Sequence, residues 1–433
     1  MSDATGLLLI LGVLLLLIFL GYPIAFAMLV TGILAIYLII GGKFIGLIER
    51  TLWEHPNSFT MTAVPLYLFM GEILFRIGIS DRLYRGVTPW LQNVPGSLLH
   101  TNIGACAIFA AICGSSLATA ATIGTIAIPE MERRRYDARL TLGSVAAGGT
   151  LGILIPPSIM MIFYASITGE SVGQLFLGGV IPGVTLALLF MLYVGTRVVL
   201  NPKLAPPREP APWRERLAGL LTILPIAALI FMVLGTIYLG VATATEAAAL
   251  GAAFSLILGL IYRTLTWGKL KEAMIATTRT TASLMFIFVT AVIPTAVLAY
   301  MGVHTRLAAW ILSLALPPLM FMVLVYIMFL ILGCFLPALP MMLLTLPWLM
   351  PVIETMGFDP VWFGIVMVIL IECAELTPPV GMNLFVIQGV APKYSFGDIV
   401  SGALPFFYVM LVMIALLTAF PALALWLPGL MIR

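Results

Sequence analysis

The residues with the most chemical potential sit at two interruptions of otherwise apolar sequence. The first carries Gly114-Ser115-Ser116-Leu117-Ala118-Thr119 and, further on, Gly152-Ile153-Leu154-Ile155-Pro156-Pro157. The second runs from Gly333-Cys334 to Pro340 and continues through Cys373-Ala374-Glu375-Leu376-Thr377-Pro378-Pro379. Ser115, Ser116, Thr119, Thr122 and Thr377 offer hydroxyl oxygens without a titrating charge. A double proline removes two backbone donors and disfavours helix at the residue before it. Carbonyls one turn earlier are thereby freed. Neutral oxygens beside freed carbonyls suit sodium better than a proton. A lone Pro-Pro pair reads as a packing kink, but two pairs, each with its own break, favour an ion site. A proton-driven site would ordinarily place a carboxylate in apolar surroundings, and Glu72, Glu246, Glu372 and Glu375 are the candidates. Glu375 lies in the second break itself and stands for either coupling or a buried structural role. Enzyme chemistry finds no footing. There is no HExxH or paired aspartate. The three histidines are scattered, and the four cysteines form no CxxC.

These residues are embedded in a chain that is 62% hydrophobic and 9% charged over 433 residues. An ordinary soluble domain is roughly a quarter charged. That excludes a soluble enzyme, a disordered chain and a nucleic-acid binder. Apolar runs of about 20 residues span a bilayer as helices, and the ten-residue alternation of a membrane barrel is missing. The fold class is therefore an all-α polytopic membrane protein. Ten full spans are expected, near 5–20, 23–40, 59–76, 141–168, 174–198, 217–238, 244–262, 280–301, 361–388 and 400–429. The first is read as a retained span and not a signal peptide. The stretches 99–131 and 307–351 each break near the middle and read as re-entrant hairpins. Non-helical backbone at membrane depth needs protein or a water-filled cavity around it.

Charge sets the orientation. With the end of the third span in the cytoplasm, segments 76–98, 132–140, 197–216, 263–279 and 389–399 hold 17 of the 21 lysines and arginines. Both termini then lie in the periplasm. Aligning the two Pro-Pro pairs relates the halves by an offset of 222 residues. Each half reads as three spans, a hairpin and two spans: 1–200, then a cytoplasmic linker 201–216, then 217–433. Five crossings per half invert the second relative to the first. Hairpin 99–131 then enters from the cytoplasm and 307–351 from the periplasm. Inverted repeats with discontinuous helices are a recurring transporter design with the site near the midplane.

Longer motifs sharpen this. Ala63-Val64-Pro65-Leu66-Tyr67-Leu68-Phe69-Met70-Gly71-Glu72, Gly114 to Gly124, Ile128-Pro129-Glu130-Met131 and Ala147 to Ser158 resemble the large membrane subunit of TRAP (tripartite ATP-independent periplasmic) transporters. The resemblance covers nearly the whole chain. It implies a sodium-coupled secondary importer in the bacterial inner membrane. A periplasmic binding protein would deliver an organic acid, and a small four-helix membrane subunit would pair with this one. A transport domain would slide as an elevator against a scaffold. It also implies one sodium site at Ser115, Ser116, Gly152, Ile155 and Pro157, and a second at Gly333, Ala374, Thr377 and Val380. Gly114, Thr119, Pro156, Cys334, Pro378 and Asn383 would then neighbour the substrate. This chain departs from the pattern at Ala374, where glycine is common, and near Pro337, where aspartate is frequent. Thr243-Ala244-Thr245-Glu246 keeps the family's Thr-Glu pair, and Glu246 is expected to be structural rather than a coupling group. The implied substrates are mostly carboxylates, yet neither break carries Lys or Arg. Sodium and helix amino ends near Leu117 and Leu339 would have to supply positive charge. The stretches 43–57 and 81–97 read either as interfacial arms bracing the scaffold or as ordinary loops with anchoring Trp53 and Trp90. The alternative reading is a one-component sodium- or proton-coupled carrier.

Overall fold

A computed structural model describes residues 3–40, 53, 56–207, 210–379 and 381–431. All regular structure among them is helical. The chain opens with α1 (Asp3–Phe19) and α2 (Ile24–Ala35), the latter continued by a π turn at Ile36–Ile40. Next come α3 (Ala63–Arg76) and α4 (Ile79–Leu91), which bend by 71° where they meet. The first hairpin is α5 (Leu98–Cys113) and α6 (Ser116–Arg133). It is followed by a helix broken into α7 (Ala138–Leu154) and α8 (Ile159–Thr168), and by the long α9 (Val172–Leu200). Then follow α10 (Trp213–Tyr238), α11 (Ala244–Ile261), α12 (Trp267–Tyr300) and α13 (Val303–Ser313). The second hairpin is α14 (Pro318–Gly333) and α15 (Ala338–Thr355). A second broken helix, α16 (Pro360–Glu375) and α17 (Met382–Val390), precedes α18 (Phe396–Ala419) and the short α19 (Ala422–Gly429).

Seven helical segments among the described residues, with α7–α8 counted as one, are long and apolar enough to cross a membrane, or eight if the bent pair α3–α4 is one span. The stretch 141–168 is two helices, because Pro156 and Pro157 leave residues 155–158 outside helix. The segment 307–351 also divides differently. Residues 307–313 belong to α13, and Pro317-Pro318 with Ala315 at φ 47° separates them from the hairpin proper. The apolar run is continuous there, so hydropathy alone hides the boundary. Residues 213–216 of the expected linker already form the start of α10. The 43–57 stretch lies outside the described residues except for 53, 56 and 57. Of the 81–97 stretch, residues 81–91 lie in the amphipathic helix α4 and 92–97 lie outside it; Trp90 donates to the Arg216 carbonyl at 3.0 Å, which ties α4 to α10.

Burial separates centre from periphery. In the α7–α8 segment 94% of the most apolar window is buried, against 22% in α10. A helix wrapped on all sides by protein holds a fixed backbone, whereas one facing outward makes a frame. Ion pairs gather at one end of the core. Arg139 meets Asp398 at 3.1 Å, and Lys393 meets Glu132 at 2.5 Å. At the other end Tyr164 donates to the Pro360 carbonyl at 2.7 Å. The broken helices α7–α8 and α16–α17 therefore run in opposite senses between the same two ends.

Candidate ion and substrate site

The first hairpin turns at Gly114, whose φ of 63° is a left-handed conformation that glycine adopts without strain. Ser115 is extended and caps α6, its Oγ accepting from the Ala118 N–H at 3.4 Å. The Ser115 carbonyl accepts from the Thr119 hydroxyl at 2.8 Å. This tip is pressed against the first break. A β-carbon on Gly152 would stand 2.5 Å from the Ser115 carbonyl oxygen and 2.8 Å from Ser116 Cα. One on Gly114 would stand 2.8 Å from the Pro157 carbonyl oxygen. Gly114, Ser115, Ser116, Gly152 and Pro157 are thus brought together. Ile155 is the extended residue that ends α7 and is buried beside them in the break with Pro156. Pro156 and Pro157 lack the N–H groups that would serve the Gly152 and Ile153 carbonyls four residues earlier.

The second break repeats the contact with the parts exchanged. Here the glycine is on the hairpin: a β-carbon on Gly333 would collide with the Ala374 β-carbon. The 222-residue offset pairs Ala374 with Gly152. The room for close approach comes from the broken helix at one tip and from the hairpin at the other. Thr377 donates its hydroxyl to the Ala374 carbonyl at 3.2 Å. Cys334 turns its Sγ back to the Leu330 carbonyl at 3.3 Å. Pro378 is exposed. Val380 lies outside the described residues. Asn383 is fully buried, and neither its oxygen nor its nitrogen meets a hydrogen-bond partner among the described residues.

One contact crosses between the breaks. The Ser116 hydroxyl donates to Glu375 Oε2 at 2.5 Å, joining the first hairpin tip to the second broken helix. Beside it lies a cavity of ≈ 150 Å³. Leu117, Ala338 and Met382, from the first turns of α6, α15 and α17, all line it. Three helix amino ends, each worth about half a positive charge, therefore border one space. Glu375 is the one ionisable side chain among the described residues that line it. One turn earlier on α16, Glu372 is fully buried with neither oxygen partnered among the described residues. Glu246 does not line this cavity. It closes a capping box with Thr243, accepting from the Thr243 N–H and hydroxyl at 2.8 Å each.

The family model for the tripartite ATP-independent periplasmic transporter, DctM component, matches residues 11–423. The chain belongs to this family. This DctM-type permease is 36% identical to the C4-dicarboxylate TRAP transporter large permease protein DctM of Pseudomonas aeruginosa, over 87% of the chain and 88% of that protein. It is 32% identical to the isethionate TRAP transporter permease protein DctMQ of Oleidesulfovibrio alaskensis, over 94% of the chain but 64% of that longer protein. The fold is also similar to the YdaH transporter of Alcanivorax borkumensis, with a TM-score of 0.57 at 15% identity, covering 88% of this chain and 89% of that one. The permease is thus a multi-pass inner-membrane transport protein for secondary solute uptake with a binding protein.

Sequence reasoning missed the pairing of Ser116 with Glu375, whose positions are 259 residues apart. It had named both residues, but nothing local indicates which tip meets which break. The orphaned Asn383 had a signal: an asparagine just after a double proline in an apolar run has few partners within reach.

Proposed function

We propose that this permease imports an organic acid together with sodium across the bacterial inner membrane. It takes the acid from a periplasmic binding protein and works beside a small four-helix membrane subunit. The observation that carries this reading is the meeting of two hairpin tips and two proline-broken helices around one cavity bordered by three helix amino ends. Sodium at the first break would use Ser115, Ser116 and the carbonyls of Gly152, Ile155 and Pro157. At the second break it would use residues near Gly333, Ala374, Thr377 and Val380. A bound cation and the helix ends compensate the anion's charge, which in an apolar site is otherwise costly. Coupling follows: without sodium the acid meets an undercompensated cavity.

The two halves, 1–200 and 217–433, act as inverted repeats, a reading supported by the opposed run of α7–α8 and α16–α17. The buried hairpins and broken helices form the moving domain. The outward-facing helices, α10 among them, form the scaffold of an elevator. Both termini lie in the periplasm, a reading supported by the positive-inside charge pattern. Family membership supports the binding protein and the small subunit as partners, and copurification tests them.

Proteoliposomes holding the permease, its small subunit and the binding protein should take up acid under an inward sodium gradient. Ser115→Ala with Ser116→Ala should raise the sodium concentration needed for half-maximal uptake. Equal uptake with potassium in place of sodium would overturn the sodium reading.

A further inference from the structure

Uptake of a simple carboxylate explains the helix amino ends around the cavity but not the acid among them. Glu375 sits on the last turn of α16, half-buried, at the wall of the ≈ 150 Å³ cavity. Around it the wall is apolar: leucine, isoleucine, methionine, proline, alanine and glycine. A carboxylate is an acceptor only, with about four lone-pair sites. The Ser116 hydroxyl, at 2.5 Å, fills one of them. A ligand that presented only its own carboxylate would put like charge against like, in surroundings that screen poorly. A ligand that also carried a donor would leave neither group unsatisfied.

We propose that Glu375 is a specificity-determining residue, and that the cavity takes an organic acid bearing a hydroxyl or ammonium group close to its carboxylate. The substrate carboxylate faces the amino ends of α6, α15 and α17, and its donor faces Glu375. The proposal rests on the organic-acid reading above and narrows it. A site built to hydrogen-bond a substrate donor rejects the analogue lacking it far more strongly than an apolar pocket rejects a missing methylene.

The test uses the purified permease with its small subunit, so that the binding protein's own selectivity does not intrude. Binding of two matched series is measured in sodium: succinate, L-malate and L-aspartate, then propionate, L-lactate and L-alanine. The wild type should bind the best hydroxyl or ammonium member about tenfold or more tighter than the unsubstituted acid of its series. Glu375→Leu should bring that ratio to within about threefold, largely by improving the unsubstituted acid. Glu375→Gln keeps the side-chain length and an acceptor for Ser116. It should lose the preference for the ammonium member while keeping that for the hydroxyl member. The two arms identify which donor the native site uses. Sodium-dependent binding of unsubstituted acids at least as tight as of substituted ones would overturn this proposal and leave sodium-coupled acid uptake standing. A preference surviving unchanged in both variants would overturn it equally. If none of the six acids binds to folded wild-type complex, the organic-acid reading falls and this proposal with it.

Discussion

The exchanged glycines at the two tips allow a quantitative test. Gly333→Ala puts a methyl into the Ala374 β-carbon, side chain against side chain. Gly152→Ala puts one 2.5 Å from the Ser115 carbonyl oxygen, where ordinary contact begins at 3.4 Å, so hairpin backbone must retreat by about 0.9 Å. Overpacking of this kind costs about 1–3 kcal/mol. The two substitutions differ in whether they can be repaired. Ala374→Gly removes the atom that obstructs Gly333→Ala, and by itself costs about 1 kcal/mol as a glycine within a helix. The pair Gly333→Ala with Ala374→Gly should therefore recover most of the loss, a coupling of about 1–3 kcal/mol in a double-mutant cycle. Gly152→Ala faces backbone and has no such partner. Thermal unfolding of the complex in nanodiscs measures the stability terms. Sodium titration of uptake measures the functional one: a tip held about 0.9 Å off by the Gly152→Ala methyl should raise half-saturating sodium about tenfold, equivalent to about 1.4 kcal/mol. Additive behaviour of the Gly333/Ala374 pair, or a Gly152→Ala permease with unchanged sodium activation, would refute the reasoning that these contacts set the tips.

Two further outcomes follow from groups away from the cavity. Glu246→Ala removes a capping box at the start of α11 and should lower the melting temperature, with uptake per folded transporter unchanged; a loss of sodium coupling at an unchanged melting temperature would contradict its structural role. Burial, with the Asp359 and Glu354 carboxylates nearby, holds Glu170 in the loop after α8 above the usual carboxylate range. The folded protein then keeps this proton longer than the unfolded chain, so stability falls as pH rises from about 4.3 to the raised value. Glu170→Gln should raise the melting temperature at pH 7 and leave it little changed at pH 4, and an equal shift at both would rule out the ionisation as its cause.

Much of the site was legible because proline and glycine act locally. Pro156-Pro157 and Pro378-Pro379 break their helices whatever surrounds them, and Gly114 can close a turn that other residues resist. Ser115 and Ser116 stood out as polar residues in apolar sequence. The start of the second hairpin was not legible, because Ile311 to Phe335 reads as nearly uninterrupted apolar sequence and the decisive Pro317-Pro318 step is small against it. The juxtaposition of Ser116 with Glu375 was not legible either. It is set by how two hairpins and two broken helices stack, and no periodicity records that. The same holds for Gly333 against Ala374: the departure from glycine at position 374 was visible, but its compensation 41 positions earlier was not.

The Ser116–Glu375 hydrogen bond ties the first tip's occupancy to the second break. A ligand that draws the serine oxygen toward itself at the first tip takes a donor from Glu375. A donor ligand that engages Glu375 repositions the carboxylate that holds this hydroxyl. Thermodynamic linkage makes such a coupling reciprocal: whatever factor the ion imposes on the substrate's affinity, the substrate must impose on the ion's. A single side-chain contact in this fold can thus serve as the shared term of two binding equilibria, and its free energy bounds the part of the ion–substrate coupling that passes through it.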